Sequence, residues 1–405
     1  MIKTKNRYNM KRLKISIACI ICLLISCTDG DGQYCRRVNS IASLNAERDE
    51  NFLNYDLKNQ NIQSMWDEVD SVYLIRLEQT KNSLIGNINS IYIIRDTIYI
   101  ADIYGSKTIK CFDINGNYLH TIGRVGHGKG EYIDIHHANV YDCYIDVLDQ
   151  ISSKIVRYTK SGNYIKEIQL KDNPSDYLEI SPNNIVLIFQ CYSEKHPYRV
   201  EFVDSLQNVV NTALPFTNTR DMPPALIQKL ANNSYNLYYP LCDTIYNIYN
   251  GNIKSKCRCV LNDNDDVDAF YSNTSNLSLK EFLIEYNSFK KNIRTALRFY
   301  ESDGLSIATH KYGDEIYQSL IYKNKVKTAK ALNIAQKRCD FPFMFYGMSN
   351  GCMISCIDNN NIGMMSKKCR DNLKKYCLSR FSEIQNYSIE DNPILCLIKY
   401  KNYDK

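Results

Sequence analysis

The sequence predicts an all-β protein, a six-bladed β-propeller of four-stranded antiparallel blades, from two observations. Residues 97–132 read as strand, turn, strand, turn, strand and a glycine-rich exit, with the strand cores TIYIAD, TIKCFD and YLHTIG. Residues 143–170 repeat this pattern in a weaker form. Successive antiparallel meanders about 40 residues apart are typical of propeller blades.

Four further sets of strands follow, which brings the predicted number of blades to six. One set contains an Asn250–Gly251 hairpin turn. A ring that is not closed exposes strand edges, so we expect the N-terminal strand 72–77 to complete the last blade. The four sets are residues 180–215, 234–261, 296–332, and 343–358 together with 393–401.

Three segments break the β pattern and predict short helical insertions. Residues 224–232 have the composition of a short helix. Residues 279–295 carry apolar residues at helical spacing, with Ser278 placed as the N-cap, and residues 366–384 carry a similar stripe. We expect these stripes to dock on the propeller.

The N-terminus predicts a lipoprotein signal peptide over residues 1–26. Lys11, Arg12 and Lys14 precede an apolar stretch, Ile15 to Ile25, that is too short to span a bilayer but suits a secretory signal. The LISC sequence that ends it resembles a bacterial lipobox, in which Cys27 becomes the lipidated first residue. Translation starts at Met1 or at Met10, which directly precedes the basic cluster.

The charge balance gives no support for nucleic-acid binding. The chain has 50 Lys and Arg against 44 Asp and Glu, and all of the excess lies in the signal peptide, so residues 27–405 are formally neutral. Nucleic-acid binding needs a clustered basic surface. Residues 27–66 are polar and aperiodic, which predicts a tether between the lipid and a propeller spanning 67–405. The six basic residues of the signal peptide are Lys3, Lys5, Arg7, Lys11, Arg12 and Lys14.

The cysteines favour core thiols over a metal site. Of 16 cysteines, Cys19 and Cys22 leave with the signal and Cys27 would be lipidated, so 13 remain. An odd number cannot all pair. The close pairs Cys257–Cys259 and Cys352–Cys356 lie in predicted strands, where cysteine is a small hydrophobe. A disulfide stays possible in an exported protein.

The glycine-rich exit from the first meander predicts a structural turn. Its sequence is not followed by a helix, so it lacks the setting of a phosphate-binding loop. We interpret it as a tight turn between blades that needs positive φ angles. The motif residues are Gly126, Gly128, Gly130, Glu131 and Tyr132.

Histidines near this turn are the candidates for catalysis or metal binding. Four of them cluster around the crossing between the first two blades, and Glu131 and Asp134 could supply carboxylates. Neither HExxH nor GxSxG is present. We therefore assign no catalytic residue, no metal ligand and no cofactor. The four histidines are His120, His127, His136 and His137.

The chain resembles the six-bladed β-propeller lipoproteins of Bacteroidetes over residues 67–401. The matching pieces are RLE, SLIG, DTIYIAD, FDINGNYLHTIG, GHGKGEY, PLCDTIYNIYNG and DNPILCLIKYK. The family more often has Pro where this chain has Lys129. The resemblance implies the propeller fold and a place in the cell envelope, and it implies no particular reaction.

Two functions remain open. The first is a lipid-anchored envelope module, in the outer membrane, that binds a peptide, glycan or protein ligand. The second is a propeller hydrolase or lyase with a metal or carboxylate site in its central channel. Convergent His, Asp or Glu side chains in the channel would favour the second.

Overall fold

The computed structural model is a six-bladed β-propeller, as the sequence predicts. Six separate sheets hold four or five strands each. The described residues are 42–44, 46–216, 225–230, 233–262, 265–274, 276–302, 304–342, 345–358, 361–379, 381–385, 387–388 and 390–401.

Each blade is a meander numbered from its innermost strand. Three N-terminal strands precede the blades: β1 (Ala42–Leu44), β2 (Glu47–Asp56) and β3 (Val69–Arg76). Blade 1 is β4 (Ser90–Ile94), β5 (Thr97–Asp102), β6 (Thr108–Asp113) and β7 (Tyr118–Ile122). Blade 2 is β8 (His137–Val140), β9 (Tyr144–Asp149), β10 (Lys154–Thr159) and β11 (Tyr164–Gln169). Blade 3 is β12 (Asp176–Ser181), β13 (Asn184–Ile188), β14 (Tyr198–Val203) and β15 (Val209–Pro215).

The later blades follow the same order. Blade 4 is β16 (Leu226–Lys229), β17 (Tyr235–Tyr238), β18 (Thr244–Tyr249) and β19 (Asn252–Val260). Blade 5 is β20 (Thr295–Ser302), β21 (Leu305–Tyr312), β22 (Glu315–Tyr322), β23 (Lys325–Asn333) and β24 (Arg338–Cys339). Blade 6 is β25 (Phe345–Ser349), β26 (Cys352–Ile357) and β27 (Ile394–Tyr400), completed by β3.

The core lies between neighbouring blades, which explains why the middle strands are apolar on both faces. Along β5, Ile98 and Ile100 pack in one cluster with Ile354 of blade 6. The alternate residues Tyr99 and Ala101 pack in another cluster with residues of blade 2. Since successive strand residues point to opposite faces of a sheet, a blade held between two others has no solvent-facing side.

A recurrent outer turn accounts for the repeats seen in the sequence. Oδ1 of Asp113 accepts hydrogen bonds from the amides of Asn115 (2.9 Å) and Asn117 (2.8 Å) in blade 1. In blade 3, Oδ1 of Asp204 accepts equivalent bonds from Leu206 (2.9 Å) and Asn208 (2.8 Å). Such side-chain-to-backbone bonds preorganise the turn.

The ring closes as the sequence predicts. β3 pairs with β27 in antiparallel register, with Leu395 opposite Ile75 and Ile398 opposite Val72. Ile394, Cys396 and Ile398 face one apolar cluster, and Leu395 faces the other. N- and C-terminal strands therefore share blade 6, which leaves no gap in the ring.

Order begins earlier than the Asp67 expected from composition. Within the range 27–66 assigned to a tether, β1 adds in parallel to β15 and β2 adds in parallel to β19. The free edges of blades 3 and 4 offer unpaired backbone groups, which a polar strand can satisfy without an apolar pattern. Trp66 is buried, and its indole Nε1 donates to the carbonyl of Asp340 at 2.8 Å.

The predicted helix at 224–232 is wrong. Its described part contains β16, whose Leu226 and Lys229 pair with Tyr238 and Tyr235 of β17. A helix this short is marginal on its own propensity, and pairing with β17 satisfies the same backbone groups within the blade.

The other two predicted segments do contain helices, but 366–384 holds two short helices, and the aromatic stripe of 279–295 packs on Phe270 of the preceding helix. Helix α2 (Leu279–Asn292) follows α1 (Asp265–Asn273) and begins with a capping box between Ser278 and Glu281. α3 (Lys367–Tyr376) docks on the propeller through its buried Cys369 and Leu373, and the short α4 (Ser382–Gln385) follows it.

Candidate functional site

The innermost strands of the six blades surround a central channel. Their free edges and the loops at their ends line a cavity of about 950 Å³. The innermost strands are β4, β8, β12, β16, β20 and β25. Because each blade is a meander that starts at the channel, these strands run in the same direction. The channel therefore has an entrance at the starts of the strands and another at their ends.

Side chains join the inner strands to one another at five junctions in the described residues. Each junction is a hydrogen bond from a side chain of one inner strand to a carbonyl of the next. The donors and acceptors are Tyr92 Oη to Ala138 (2.8 Å), Asn139 Nδ2 to Tyr177 (2.5 Å), Gln228 Nε2 to Glu301 (2.8 Å), Tyr300 Oη to Phe345 (3.4 Å) and Ser349 Oγ to Ile93 (3.3 Å). We call these five bonds the girdle.

The Gln228 junction is reciprocal. Gln228 Nε2 donates to the carbonyl of Glu301, and Gln228 Oε1 accepts from the amide of Glu301, both at 2.8 Å. A strand edge that faces a cavity carries unpaired backbone groups, and this amide satisfies two of them at once. The girdle thus ties neighbouring inner strands together along the channel wall.

The entrance at the strand starts contains a histidine–carboxylate pair. Nδ1 of His137 lies 3.5 Å from Oδ2 of Asp176, whose side chain is buried while that of His137 is partly exposed. Burial raises the pKa of Asp176, and His137 opposes that rise. Next to it, burial lowers the pKa of His136 to about 4, so His136 is neutral at pH 7.

The entrance at the strand ends is lined by charges of both signs. Lys256 Nζ donates to Glu301 Oε2 at 2.5 Å, and Asn236 Nδ2 donates to the same oxygen at 3.0 Å. Across the entrance, Lys229 Nζ lies 3.9 Å from Asp142 Oδ1. Between the two entrances the lining includes serine, asparagine and glutamine side chains and five aromatic residues, whose rings pack in the apolar clusters between blades. The rings belong to Tyr92, Tyr238, Phe299, Tyr300 and Tyr346.

The glycine-rich motif lies between β7 and β8 and forms a turn around Glu131. The Glu131 carboxylate accepts from the amide of Gly128 at 2.8 Å and pairs with Arg124, and these partners lower its pKa. Gly130 has a positive φ of 73°, whereas Gly126 and Gly128 leave room for the carboxylate. Tyr132 is buried, and its hydroxyl donates to the carbonyl of Lys107 at 2.7 Å.

The structure separates the four histidines that are close in sequence. His136 and His137 line the channel, whereas His127 is exposed in the glycine-rich turn. His120 Nε2 lies 2.9 Å from the carbonyl of Lys160. Asp134 forms an ion pair of 2.9 Å with Lys107. In the described part of the chain, no three His, Cys, Asp or Glu side chains are grouped as a metal site requires.

Sequence reasoning missed the carboxylates that anchor the inner ends of blades 1 and 2. Asp102 is buried and accepts four backbone amides at 2.8–3.0 Å, among them those of Gly86 and Gly105. Asp149 occupies the same place in blade 2 and accepts from the amide of Ile133 at 2.8 Å. The signal was present, since both repeats have Asp at the end of their second strand.

Cys27 and the signal peptide lie outside the described residues. Among the residues that are described, no helix is long and apolar enough to cross a membrane.

Comparison with solved structures shows the same fold in Bacteroides proteins. A Bacteroides fragilis NCTC 9343 protein named as exported is 18% identical with a TM-score of 0.70, and the match covers 86% of this chain and 100% of that one. A member of the DUF4221 family from Bacteroides vulgatus ATCC 8482 is 10% identical with a TM-score of 0.50, covering 82% and 97%. At these identities the likeness concerns the fold alone. No curated protein matches the chain.

A family model described as a domain of unknown function, DUF4934, matches residues 51–399. That match spans all six blades, from β2 into β27. This match agrees with the resemblance to six-bladed propeller proteins seen in the sequence. The structure shows the fold which that resemblance implied. The chain therefore belongs to the DUF4934 family.

Proposed function

We propose that this protein is a lipid-anchored module of the cell envelope that binds a peptide, glycan or protein ligand in its central channel. The observation that carries the proposal is the channel itself. Its volume of about 950 Å³ is in the range of ligand sites, about 300–1,000 Å³. Its wall presents amide and hydroxyl groups of the inner strands, which suits a ligand that forms several hydrogen bonds.

The girdle supports binding at this place because it makes the wall rigid. A preformed site loses less conformational entropy when a ligand binds than a flexible one does. Four acidic and four basic side chains line the cavity, and those at the strand ends form two ion pairs. The channel therefore has no excess of one charge that would attract a ligand of large opposite net charge.

Blocking the channel tests the proposal. Ser90 and Ser349 line the cavity from adjacent inner strands, and Ser90→Trp or Ser349→Trp would fill part of it. The probes are panels of soluble peptidoglycan fragments, cell-surface oligosaccharides and peptides, scored by thermal shift. A ligand at 100 times its Kd stabilises the folded state by about 2.7 kcal/mol.

We expect at least one probe class to raise the Tm of the parent and to lose that effect in both blocked variants. Leu206→Trp is the control, because Leu206 is 71% exposed in an outer turn of blade 3. Equal shifts in the parent and the blocked variants would place binding elsewhere. A complete absence of shifts would contradict a ligand of these three classes.

The anchoring part of the proposal rests on the N-terminal sequence. The basic cluster, the short apolar stretch and LISC all support lipidation of Cys27, and the fold relative named as exported is consistent with export. Cys27→Ser should leave an unprocessed precursor that incorporates no labelled fatty acid. If that variant matures and enters the outer-membrane fraction like the parent, the anchor is wrong.

The His137–Asp176 pair favours a second candidate, a hydrolase or lyase that acts in the channel. The Asp176 carboxylate lies 3.5 Å from Nδ1 of His137 and can hold the imidazole in one orientation, and an oriented imidazole suits a general base. His137→Asn would remove the base while keeping a polar side chain of similar size. Under this candidate, mass spectrometry would detect product from a bound probe with the parent and none with the variant, while the thermal shift is retained.

A further inference from the structure

Two buried thiols from different elements meet at the boundary between blades 5 and 6. Cys339 ends β24, the edge strand of blade 5, and is 1% exposed. Cys369 lies on α3 and is fully buried. The two residues are 30 positions apart in the chain, so the fold and not the local sequence brings them together.

Backbone bonds around Ser366 hold the two cysteines in register. The amide of Ser366 donates to the carbonyl of Cys339 at 2.8 Å. Ser366 Oγ then accepts from the amide of Cys369 at 3.1 Å, as the N-cap of α3. In this arrangement Cys369 is close enough to Cys339 for the two thiols to interact. The Cys339 thiol donates to the carbonyl of Phe341 at 3.1 Å.

We propose that Cys339 and Cys369 are joined by a disulfide in the mature protein. The inference rests on the proposed location in the cell envelope, where disulfides form and persist. A disulfide-bearing thiol oxidant of that compartment accepts two electrons and two protons from the two thiols. One S–S bond forms in the protein as the oxidant's S–S bond is reduced to two thiols.

The oxidation has to take place while the chain folds. Only a thiolate attacks a disulfide, and in the folded protein the neighbouring Cys339 thiol and burial keep the pKa of the Cys369 thiol well above its usual range. Once α3 has docked, an oxidant has no access to either sulfur. In a folding intermediate in which α3 is not yet packed, the Cys369 thiol is free to ionise and the oxidant has access to both sulfur atoms.

The disulfide would fasten the segment that covers the closing strand. Directly after α3, the amide of Leu378 donates to the carbonyl of Val72 at 2.9 Å, and Ser379 Oγ accepts from the amide of Leu74 at 2.7 Å. Both contacts lie along β3, the strand that closes the ring. A bond from Cys369 to blade 5 therefore holds this cover in place.

Cys257 and Cys259 provide a matched comparison. Their thiols also interact with each other and are buried. They lie two positions apart on β19, where the strand rise of about 3.3 Å per residue separates the side chains by more than the roughly 3.8 Å that a disulfide allows between Cβ atoms. We expect this pair to stay reduced.

The experiment compares three proteins: the parent, Cys339→Ala/Cys369→Ala and Cys257→Ala/Cys259→Ala. Each is refolded in a glutathione redox buffer and also isolated from envelope fractions of cells treated with an alkylating agent. Peptide mapping by mass spectrometry then finds a 339–369 peptide pair about 2 Da lighter than its thiols. Reduction should lower the Tm of the parent by about 5 °C.

The Tm loss on reduction should persist in Cys257→Ala/Cys259→Ala and vanish in Cys339→Ala/Cys369→Ala. Failure to cross-link in the redox buffer would overturn the disulfide whatever the location of the protein. Cross-linking in the buffer but alkylated thiols in envelope fractions would overturn it for the cell. Protein recovered only outside the envelope with free thiols would overturn both the location and the disulfide.

Discussion

At the scale of single residues, the glycine-rich motif works by accommodating one carboxylate. A Cβ added at Gly126 would lie 2.0 Å from Oε2 of Glu131. Because that oxygen accepts the Gly128 amide, the clash would displace the group that organises the turn. Gly126 is therefore needed because the turn has no room for a Cβ at this position. The sequence pattern predicted a need for positive φ angles and did not predict this steric requirement.

We expect Gly126→Ala to lower the free energy of unfolding by about 0.5–1.5 kcal/mol, the net contribution of one hydrogen bond, because the flexible Glu131 side chain moves away from the new Cβ and loses its bond to the Gly128 amide. Urea denaturation measures this difference. Gly363→Ala is the control, since an added Cβ there meets nothing within 4 Å. A loss for Gly363→Ala as large as for Gly126→Ala would show that the Glu131 contact is not the cause.

A second residue-scale effect concerns His310 in β21. It is 1% exposed, its ring stacks on Tyr317 with centroids 5.3 Å apart, and neither ring nitrogen has a partner in the described residues. Burial, together with the nearby cation of Arg294, lowers the pKa of His310 to about 3. The folded protein thus holds this imidazole neutral.

The sign of the pH effect follows from this shift. Below pH 6.5 the unfolded chain binds a proton at His310 that the folded state does not bind until about pH 3, so the free energy of unfolding falls as the pH falls. At about 1.4 kcal/mol per pH unit, His310 contributes a loss of about 2–3 kcal/mol between pH 6.5 and 4.5. His310→Leu should flatten this part of the profile in urea titrations. His127→Leu, at an exposed position, should leave the slope as it is in the parent.

At the scale of elements, the girdle determines how firmly inner strands hold together. Gln228→Leu keeps the side-chain volume but removes both bonds to Glu301 and leaves that backbone amide and carbonyl unpaired. We expect a loss of about 2–4 kcal/mol in the free energy of unfolding. Gln60→Leu, which removes one exposed bond to Ile62, should cost less than about 0.5 kcal/mol. Equal losses of unfolding free energy for the two variants would show that water satisfies the backbone groups of Glu301 when the Gln228 side chain is absent.

The sequence was most informative where an element repeats and least informative at the channel. Blades 1 and 2 could be predicted because β5 and β9 are apolar runs bounded by turns with a hydrogen-bonding residue. β16 has only four residues and depends on β17 for its structure, so its local pattern was ambiguous. Pairing partners such as His137 with Asp176, and Gln228 with Glu301, belong to different blades. No periodicity within one blade can indicate which side chains will meet across a junction.

At the scale of the whole molecule, the N-terminal segment contributes to three blades. β1 and β2 add to the edges of blades 3 and 4, and β3 closes blade 6. β1 and β2 add a fifth strand to blades 3 and 4, which are already complete four-stranded meanders, so they cover an edge without completing a blade. β3 and β27, in contrast, supply strands without which blade 6 has two.

Deleting single strands tests whether closure makes the ring cooperative. Removal of β27, residues 394–400, should unfold the protein as a unit, because it removes the register with both β26 and β3 and the apolar contacts of Ile394, Cys396 and Ile398. Removal of β2, residues 47–56, should lower the Tm by a few degrees only and leave a single transition, because β19 remains paired with β18. Hydrogen exchange of the middle strands separates the outcomes. If the protein without β27 keeps slow exchange in blades 2 to 4, each blade is stable without its neighbours and closure is not the source of cooperativity.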